Sequence, residues 1–552
     1  MGETFDVVVL GSGAAGLTAA LASAVEGARA AVFEKADLLG GTTALSGGTI
    51  WFPANQPARD AGVADSRESG LAYLAGLSNG MILPELAEAL VDGGPQFVDF
   101  LTEHTALRLE LVPGYPDYHP EHPGGMPRGG RSIEPALFSF AGLDEWAGRI
   151  AGDVRRTRIA ETPLGGGTGV LAPAVLATRA AARLEGLGRA LIGGLLRACL
   201  DRGVRIATRS RGVRLRTAAG GGRVTGAEIE TPEGARTVGA GAVVLATGGF
   251  EYDPDLVRDF LRGPLTRPVG APSNTGDGLR MAMRVGARLG NMREAWWSPV
   301  VPYPGRRRDG GGNALLSARE RALPGCIMVN RHGVRFANEA ANYNALGGAF
   351  HRLDESRLDY PNVPAFMIFD RSAVDRFGVF GVAPGGEMPA WVTRADTLDE
   401  LAGALGLPAA EVRRTVGRFN DNARAGADPD FGRGESAYDR FPGGRGAPEP
   451  DSPFTTLGPV EKAPFHGVRV DISALGTKGG PRTDRAGRVL DVDGDVIRGL
   501  YAAGNVMASP AGMVYGGAGA TLAVAGVWGL YAGRAAVRDH RNEERAGEKE
   551  ND

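Results

Sequence analysis

Thiols are almost missing from this chain of 552 residues, which has only Cys199 and Cys326. Two cysteines this far apart cannot make a CxxC redox pair, a four-cysteine iron–sulfur cluster or a CxxCH haem site, so any electron chemistry needs a cofactor without iron. An excess of basic charge is missing too. Lys+Arg total 61 against 64 Asp+Glu, a net charge of -3 with no basic block, so no nucleic acid and no anionic membrane surface is expected as a partner. Lysine itself is scarce, four of the 61, which reads as codon bias toward arginine. No uninterrupted apolar run reaches about 18 residues, and the start MGETFDVVVLG lacks a basic n-region and a cleavage site. The expectation is a cytoplasmic protein with no membrane span. His119 and His122 sit in a proline-rich loop without an apparent third ligand, so no metal site is expected.

What is present is globular: hydrophobic residues make up 43% and charged residues 23%, in a chain long enough for two or three domains. Glycine is in excess, 86 residues, without a collagen period or a glycine-serine tract. At this frequency a GxGxxG pattern arises by chance roughly twice, so only its context gives it meaning.

Residues 5–10 form a short valine-rich run, as a buried parallel strand requires. Gly11-Ser12-Gly13-Ala14-Ala15-Gly16 follows at once, then a small-residue helix to about Gly27 and a second strand over 29–33, closed by Glu34. In this βαβ setting Gly11 permits the tight turn, Gly13 lets the backbone approach a pyrophosphate and Gly16 lets the helix pack on the strand, while the helix N-terminus faces the phosphates. Glu34 lies 23 residues after Gly11, where an acid accepts from ribose hydroxyls and disfavours a 2′-phosphate. A strand over 242–245 ends in Ala246-Thr247-Gly248-Gly249. From about 303 to 471 the chain is richer in proline, aromatics and arginine, with strands over 326–329 and 366–369. The nucleotide-domain character returns with a strand into Gly504-Asn505 and a glycine-started helix over 516–536. The expected fold is α/β, a Rossmann-like nucleotide-binding domain (1–302 and 472–539) split by an inserted α+β substrate and catalytic domain (303–471), followed by a charged, disordered tail (540–552).

Ten segments appear in order: GSGAAG with Glu34-Lys35, GGTTALSGGTIW from Gly40, GYPDYHPE from Gly114, LATGGFE from Leu245, NTGDGL from Asn274, AWWSPV from Ala295, LPGCIMVNRHGVRFANEAANY from Leu323, GTKGG from Gly476, GLYAAGN from Gly499 and YGGAGATL from Tyr515. Across nearly its whole length the chain resembles the FAD-dependent fumarate reductase and succinate dehydrogenase flavoprotein superfamily, and within it the 3-ketosteroid 1-dehydrogenases.

The resemblance implies FAD. Gly40, Gly41, Thr42, Thr43, Ser46, Gly47 and Gly48 match a segment along the flavin, Asp277 and Gly278 match another, and Gly504, Asn505, Thr521 and Leu522 match a C-terminal cradle. Lys35, Val213, Ala246, Thr247 and Gly248 complete the expected cofactor set. The segment 46–51, where relatives with covalent FAD carry the attaching histidine, has none, so non-covalent FAD is expected.

It also implies a reaction, removal of two hydrogens from adjacent carbons of a cyclic ketone such as a 3-ketosteroid. Tyr343 matches the base for the α-proton, Tyr118 its hydrogen-bonding partner, with Tyr115 as the alternative register, and Tyr515 with the Gly519 N–H the pair that grips the ketone oxygen; the hydride goes to flavin N5 and the electrons to an external acceptor. The fumarate reductase branch has a proton-delivering arginine at the offset where Tyr343 stands, so a dicarboxylate substrate is not expected. The steroid enzymes read YPGPG where this chain reads YGGAG, and Trp528 replaces a smaller aromatic, which suggests a looser loop and a different ketone, a terpenoid, polyketide or cyclohexanone unit. The arginine run 306–308 and the glycine run 310–312 form an unusual connection, and Arg128 and Arg131 read as solvated surface residues. The same machinery run backward would be an ene-reductase fed by an external reduced carrier.

Overall fold

The computed structural model describes residues 3–307, 309, 311–444 and 447–551. Arg308 and Gly310 of the expected arginine and glycine runs lie outside them. Five strands form a parallel sheet in the order Arg205–Ala207, Ala30–Phe33, Thr4–Leu10, Gly234–Leu245, Val496–Ala502, with Arg488–Leu490 antiparallel at one edge. Val7, Val8, Val9, Val32, Val243 and Val244 are fully buried, as expected of strands covered on both faces. Gly234–Leu245 is long enough to serve twice: its first half carries the antiparallel ribbon Val224–Thr231 and Arg211–Thr217, and its second half joins the parallel core.

Register decides where the site is. Leu10 pairs with Phe33 and with Leu245, and Leu245 pairs with Ala502. Gly11, Glu34, Ala246 and Ala503 therefore leave the sheet side by side at its carboxyl edge, the crevice where open α/β sheets bind ligands. Helix Ala14–Val25 starts at this edge and packs against Leu187–Asp201 and the terminal helix.

The second sheet is antiparallel: Gly312–Leu316, Ala295–Arg306, Phe465–Thr477, Ala365–Phe369 and Cys326–Asn330, with Thr393–Ala395 beside the start of the third. Its spine is Phe465–Thr477, in which eleven of thirteen residues are buried. Sheet pairing thus reaches back to Ala295 and on to Thr477, across both expected junctions at 302 and 471.

The terminal helix differs from expectation at both ends. It begins at Ala520 rather than 516, because Gly519 has φ +103°, outside the helical region. It runs to Asn551, so the segment 540–552, expected as a disordered tail, is helical up to its penultimate residue. Glutamate, a good helix former, is the commonest residue there, and extending an existing helix avoids the cost of nucleation. Among the described residues one helix, Ala520–Ala546, is long and apolar enough to cross a membrane, and 78% of its apolar window is buried inside the protein.

Candidate active site

One cavity of about 980 Å³ runs from the sheet edge at Gly11, Glu34 and Thr247 to Tyr118, Tyr343, Tyr515 and Gly519. Its glycines fall into two kinds. A Cβ on Gly11 would stand 2.3 Å from Ala246 O and one on Gly16 2.0 Å from Gly11 O, so packing alone requires both. A Cβ on Gly13 would meet nothing nearer than Thr43 Oγ1 at 3.7 Å, although Gly13 lines the cavity. Protein packing does not demand glycine at 13, which leaves its backbone open to the cavity.

The first turns around the crevice are tied by side chains. Ser12 Oγ donates to Glu34 at 2.6 Å and accepts from Gly40 N–H at 3.0 Å, while Thr43 Oγ1 accepts from Ala14 N–H at 3.1 Å. Thr42 Oγ1 accepts from Ala271 N–H and Asn274 Nδ2 at 2.9 and 3.0 Å. Burial disfavours charge on Asp277, but Arg211 at 2.7 Å and Lys35 at 2.9 Å outweigh it and hold the carboxyl below its usual range. Thr247 Oγ1 is buried in the lining with no hydrogen-bond partner among the described residues. An open glycine, a helix N-terminus, a ribose-reaching acid and an orphaned hydroxyl are what a dinucleotide such as FAD would use, and these residues fit it.

Most expected cofactor residues line this cavity: Ser12, Ala14, Ala15, Lys35, Gly41, Thr42, Thr43, Ser46, Gly47, Gly48, Ala246, Gly248, Asp277, Gly504, Asn505, Thr521 and Leu522. Four stand outside its lining. Gly16 lies in the first turn of helix Ala14–Val25 against Gly11 O, Gly40 caps the short helix Gly41–Leu45, Gly278 packs where a Cβ would lie 2.3 Å from Thr247 Oγ1, and Val213 lends its carbonyl to Arg284 at 3.0 Å.

The other end of the cavity is a cluster of phenols. Tyr118 OH donates to Tyr343 OH at 2.8 Å, and the Tyr515 ring lies 5.1 Å from Tyr118 and 5.6 Å from Tyr343. It is Tyr118 that bonds Tyr343; Tyr115 packs on Phe441 at 4.9 Å. Burial, then neighbouring phenols, push Tyr343 and Tyr118 well above the ordinary tyrosine value. Thr521 Oγ1, of a residue expected at the cofactor, donates to Tyr515 OH, of one expected at the ketone, at 3.1 Å.

The loop before the terminal helix is tied down, contrary to the looseness read from its glycines. Gly516 O accepts from Tyr118 N–H at 2.9 Å and from Tyr73 OH at 2.7 Å, and Gly517 lies where a Cβ would be 2.2 Å from Trp51. Trp528 is fully buried, directs Nε1 to Asp484 O at 3.4 Å and stands outside the cavity lining, so it does not shape the pocket. Arg131 is no surface arginine: it is buried between Asp65 and Asp117 at 2.7 and 2.8 Å. Arg128 is exposed.

Sequence reasoning missed three supporting side chains. Trp296 sits 4.8 Å from the Tyr515 ring and donates to Asn505 Oδ1 at 3.0 Å. Lys478, pushed down to about 7 by burial, lies 4.1 Å from the Trp296 ring and donates to Met513 O and Val514 O at 2.9 and 2.7 Å. Tyr438 stacks edge-on to Tyr118 at 5.0 Å. Trp296 and Lys478 belong to the quoted AWWSPV and GTKGG segments; nothing in the sequence marks Tyr438.

A nucleotide crevice opening directly onto buried phenols belongs to an FAD-dependent oxidoreductase acting on CH–CH groups, of the ketosteroid dehydrogenase kind. The chain belongs to the FAD binding domain family, whose profile matches residues 6–522. It is 43% identical over 540 residues to 4-oxocyclohexanecarboxylate 2-dehydrogenase of Sinomonas cyclohexanicum, covering 96% of this chain and 92% of that one. It is 40% identical over 562 residues to a 3-oxosteroid 1-dehydrogenase of Mycobacterium tuberculosis, covering 96% and 98%. The crystal structure of 3-ketosteroid delta1-dehydrogenase from Sterolibacterium denitrificans superposes with a TM-score of 0.87 at 32% identity, covering 97% of this chain and all of that one. The activity common to these relatives, FAD-dependent dehydrogenation of cyclic ketones, is that of this chain.

Proposed function

We propose that the protein desaturates a cyclic ketone beside its carbonyl, a 3-ketosteroid at the 1,2 bond or a similar ring ketone. The Tyr515 hydroxyl and the Gly519 N–H receive the ketone oxygen and stabilise negative charge as it develops there. Tyr343 takes the α-proton, and Tyr118 OH, 2.8 Å away, shares it. Bound FAD supplies the two-electron acceptor for the β-hydride. The buried lining keeps water from the enolate-like carbon. Tyr118–Tyr343 contact within the cavity that also holds the glycine crevice is the observation that carries this reading. The absence of histidine in 46–51 supports FAD held without a covalent bond. The two sheets support a split nucleotide-binding unit with the segment around 303–471 as the substrate-bearing part.

The cations near the pocket favour a neutral ring over a dianion: Arg307 is engaged by Asp309 at 3.0 Å and by the carbonyls of Val269 and Gly270 at 2.7 Å. A monocyclic 4-oxo carboxylate is the second reading, supported by exposed Arg155 in the lining and by the 43% identical relative. Anaerobic mixing of the holoenzyme with 3-ketosteroids and with 4-oxocyclohexanecarboxylate, following loss of the oxidised flavin band, separates them. Tyr343→Phe is expected to keep FAD and to lose at least about a hundredfold in the rate of bleaching; near wild-type bleaching would end the assignment.

A further inference from the structure

A buried phenol is a poor base. Burial and neighbouring phenols favour neutral Tyr343 and Tyr118, so proton removal needs positive charge nearby to offset the phenolate. Most buried cations around the site are already spent. Arg131 pairs with Asp65 and Asp117, Arg335 with Glu339 and Asp428, Arg433 with Glu339, and Lys478 serves carbonyls.

Arg321 is different. It is 1% exposed and makes no salt bridge among the described residues. Nη1 donates to the carbonyls of Glu339 and, at 2.6 Å, Ala341, just ahead of Tyr343 in the chain. Nε and Nη2 are buried with no hydrogen-bond partner among the described residues. Its strongest electrostatic neighbours are Tyr438 and Asp439. Tyr438 stacks on Tyr118 at 5.0 Å, and Tyr115 interacts with both. Burial pushes Tyr438 up to about 12, and Arg321 is the largest influence pulling it down. Asp439, tied to Asn338 Nδ2 at 2.9 Å and Gly434 N–H at 3.0 Å, is itself pushed toward its neutral form by burial, which weakens it as a counter-charge. An unpaired guanidinium in a dry interior is costly unless a charge appears beside it.

We propose that Arg321 is a positioning residue for proton removal, holding the carbonyls before Tyr343 and supplying the positive charge against which the tyrosine cluster carries one negative charge. The reactive form of the cluster is the minority one that is one proton short, which Arg321 makes more frequent, with the phenolate at Tyr438, the tyrosine that Arg321 influences most. As the substrate C–H bond breaks, its electron pair stays with the substrate carbon and its proton goes to Tyr343 oxygen. The Tyr118 hydroxyl turns from Tyr343 to give its proton to the phenolate, the Tyr343 proton passes to Tyr118 oxygen, and every phenol is left neutral until one proton returns to solvent. Besides the tyrosines, the groups facing the cluster are Arg433, Asp439 and His119, whose ring stands 3.1 Å from Asn342 and is held neutral by burial, which pushes it down to about 4.

This inference rests on the proposed role of Tyr343, and the pH profile of anaerobic flavin bleaching by the best ketone tests it. Arg321→Gln keeps donors for the two carbonyls and removes the charge; its acid limb is expected to move up by about one pH unit, so that bleaching is about tenfold slower at pH 7 and recovers at high pH. Arg321→Lys is expected to keep the wild-type limb. Tyr438→Phe, a change that leaves the packing in place, is expected to slow bleaching about tenfold with FAD retention and melting temperature unchanged. An unshifted limb in Arg321→Gln, a loss equal at every pH, or wild-type behaviour of Tyr438→Phe would overturn the inference. Retained activity in Tyr343→Phe would instead overturn the function on which it stands.

Discussion

Tyr515 accepts a hydrogen bond from Thr521 Oγ1, which leaves its own hydroxyl hydrogen for an acceptor in the cavity. Such a neighbour fixes the direction in which a phenol donates, and the direction matters more here than the ring's packing. Glu251 shows burial acting on charge. Its Oε1 accepts from Asn274 Nδ2 at 2.7 Å, Oε2 has no hydrogen-bond partner among the described residues, and burial raises the carboxyl from 4.5 to about 7. The folded chain therefore holds a proton that the unfolded chain releases, a contribution complete below pH 4.5 and lost as the pH rises to about 7. Glu251→Gln, neutral throughout, is expected to gain in melting temperature relative to wild type across that window, with a constant advantage of a few degrees above it. Parallel melting curves at all pH values would show that the carboxyl is not buried in this way. None of this is legible in the sequence, because LATGGFE contains Glu251 without saying whether its carboxyl meets water.

At the scale of elements, local pattern was a good guide to short, unbroken apolar strands. The runs read over 5–10, 29–33 and 326–329 are the strands Thr4–Leu10, Ala30–Phe33 and Cys326–Asn330. It failed at the terminal helix, whose start is set by one backbone angle at Gly519 and whose end depends on how long a charged helix continues. The first helix offers a sharp test of what each glycine does. Gly13→Ala, with 3.7 Å of room, is expected to fold with its apo melting temperature nearly unchanged and to lose FAD affinity by tenfold or more. Gly16→Ala, whose Cβ would stand 2.0 Å from Gly11 O, is expected to be destabilised with or without FAD. Fluorescence titration with FAD beside apo melting curves reads both; equal FAD binding by Gly13→Ala and wild type would remove the crevice from the cofactor site.

For the whole molecule, the cavity is lined from the parallel sheet's carboxyl edge, from strands Ala295–Arg306 and Gly312–Leu316 of the antiparallel sheet, and from the turn that starts the terminal helix. A ligand held by all of these ties them together. FAD at a hundred times its Kd is expected to add about 2.7 kcal/mol to unfolding, raising a single melting transition; two transitions of which FAD moves one would mean that the sheets unfold separately. The sequence by itself determined the cofactor class and the family, because a strand, a glycine turn and a helix are local, and ten motifs in order survive an excess of glycine. It also named the phenols, through resemblance. Only the tertiary structure decided that Tyr118 rather than Tyr115 meets Tyr343 across 225 residues, that Thr521 bonds Tyr515, and that Arg321 is buried with Nε and Nη2 unbonded among the described residues. Contacts between distant side chains depend on register and packing to within an ångström, and burial, which sets their charge, is a property of everything that surrounds them.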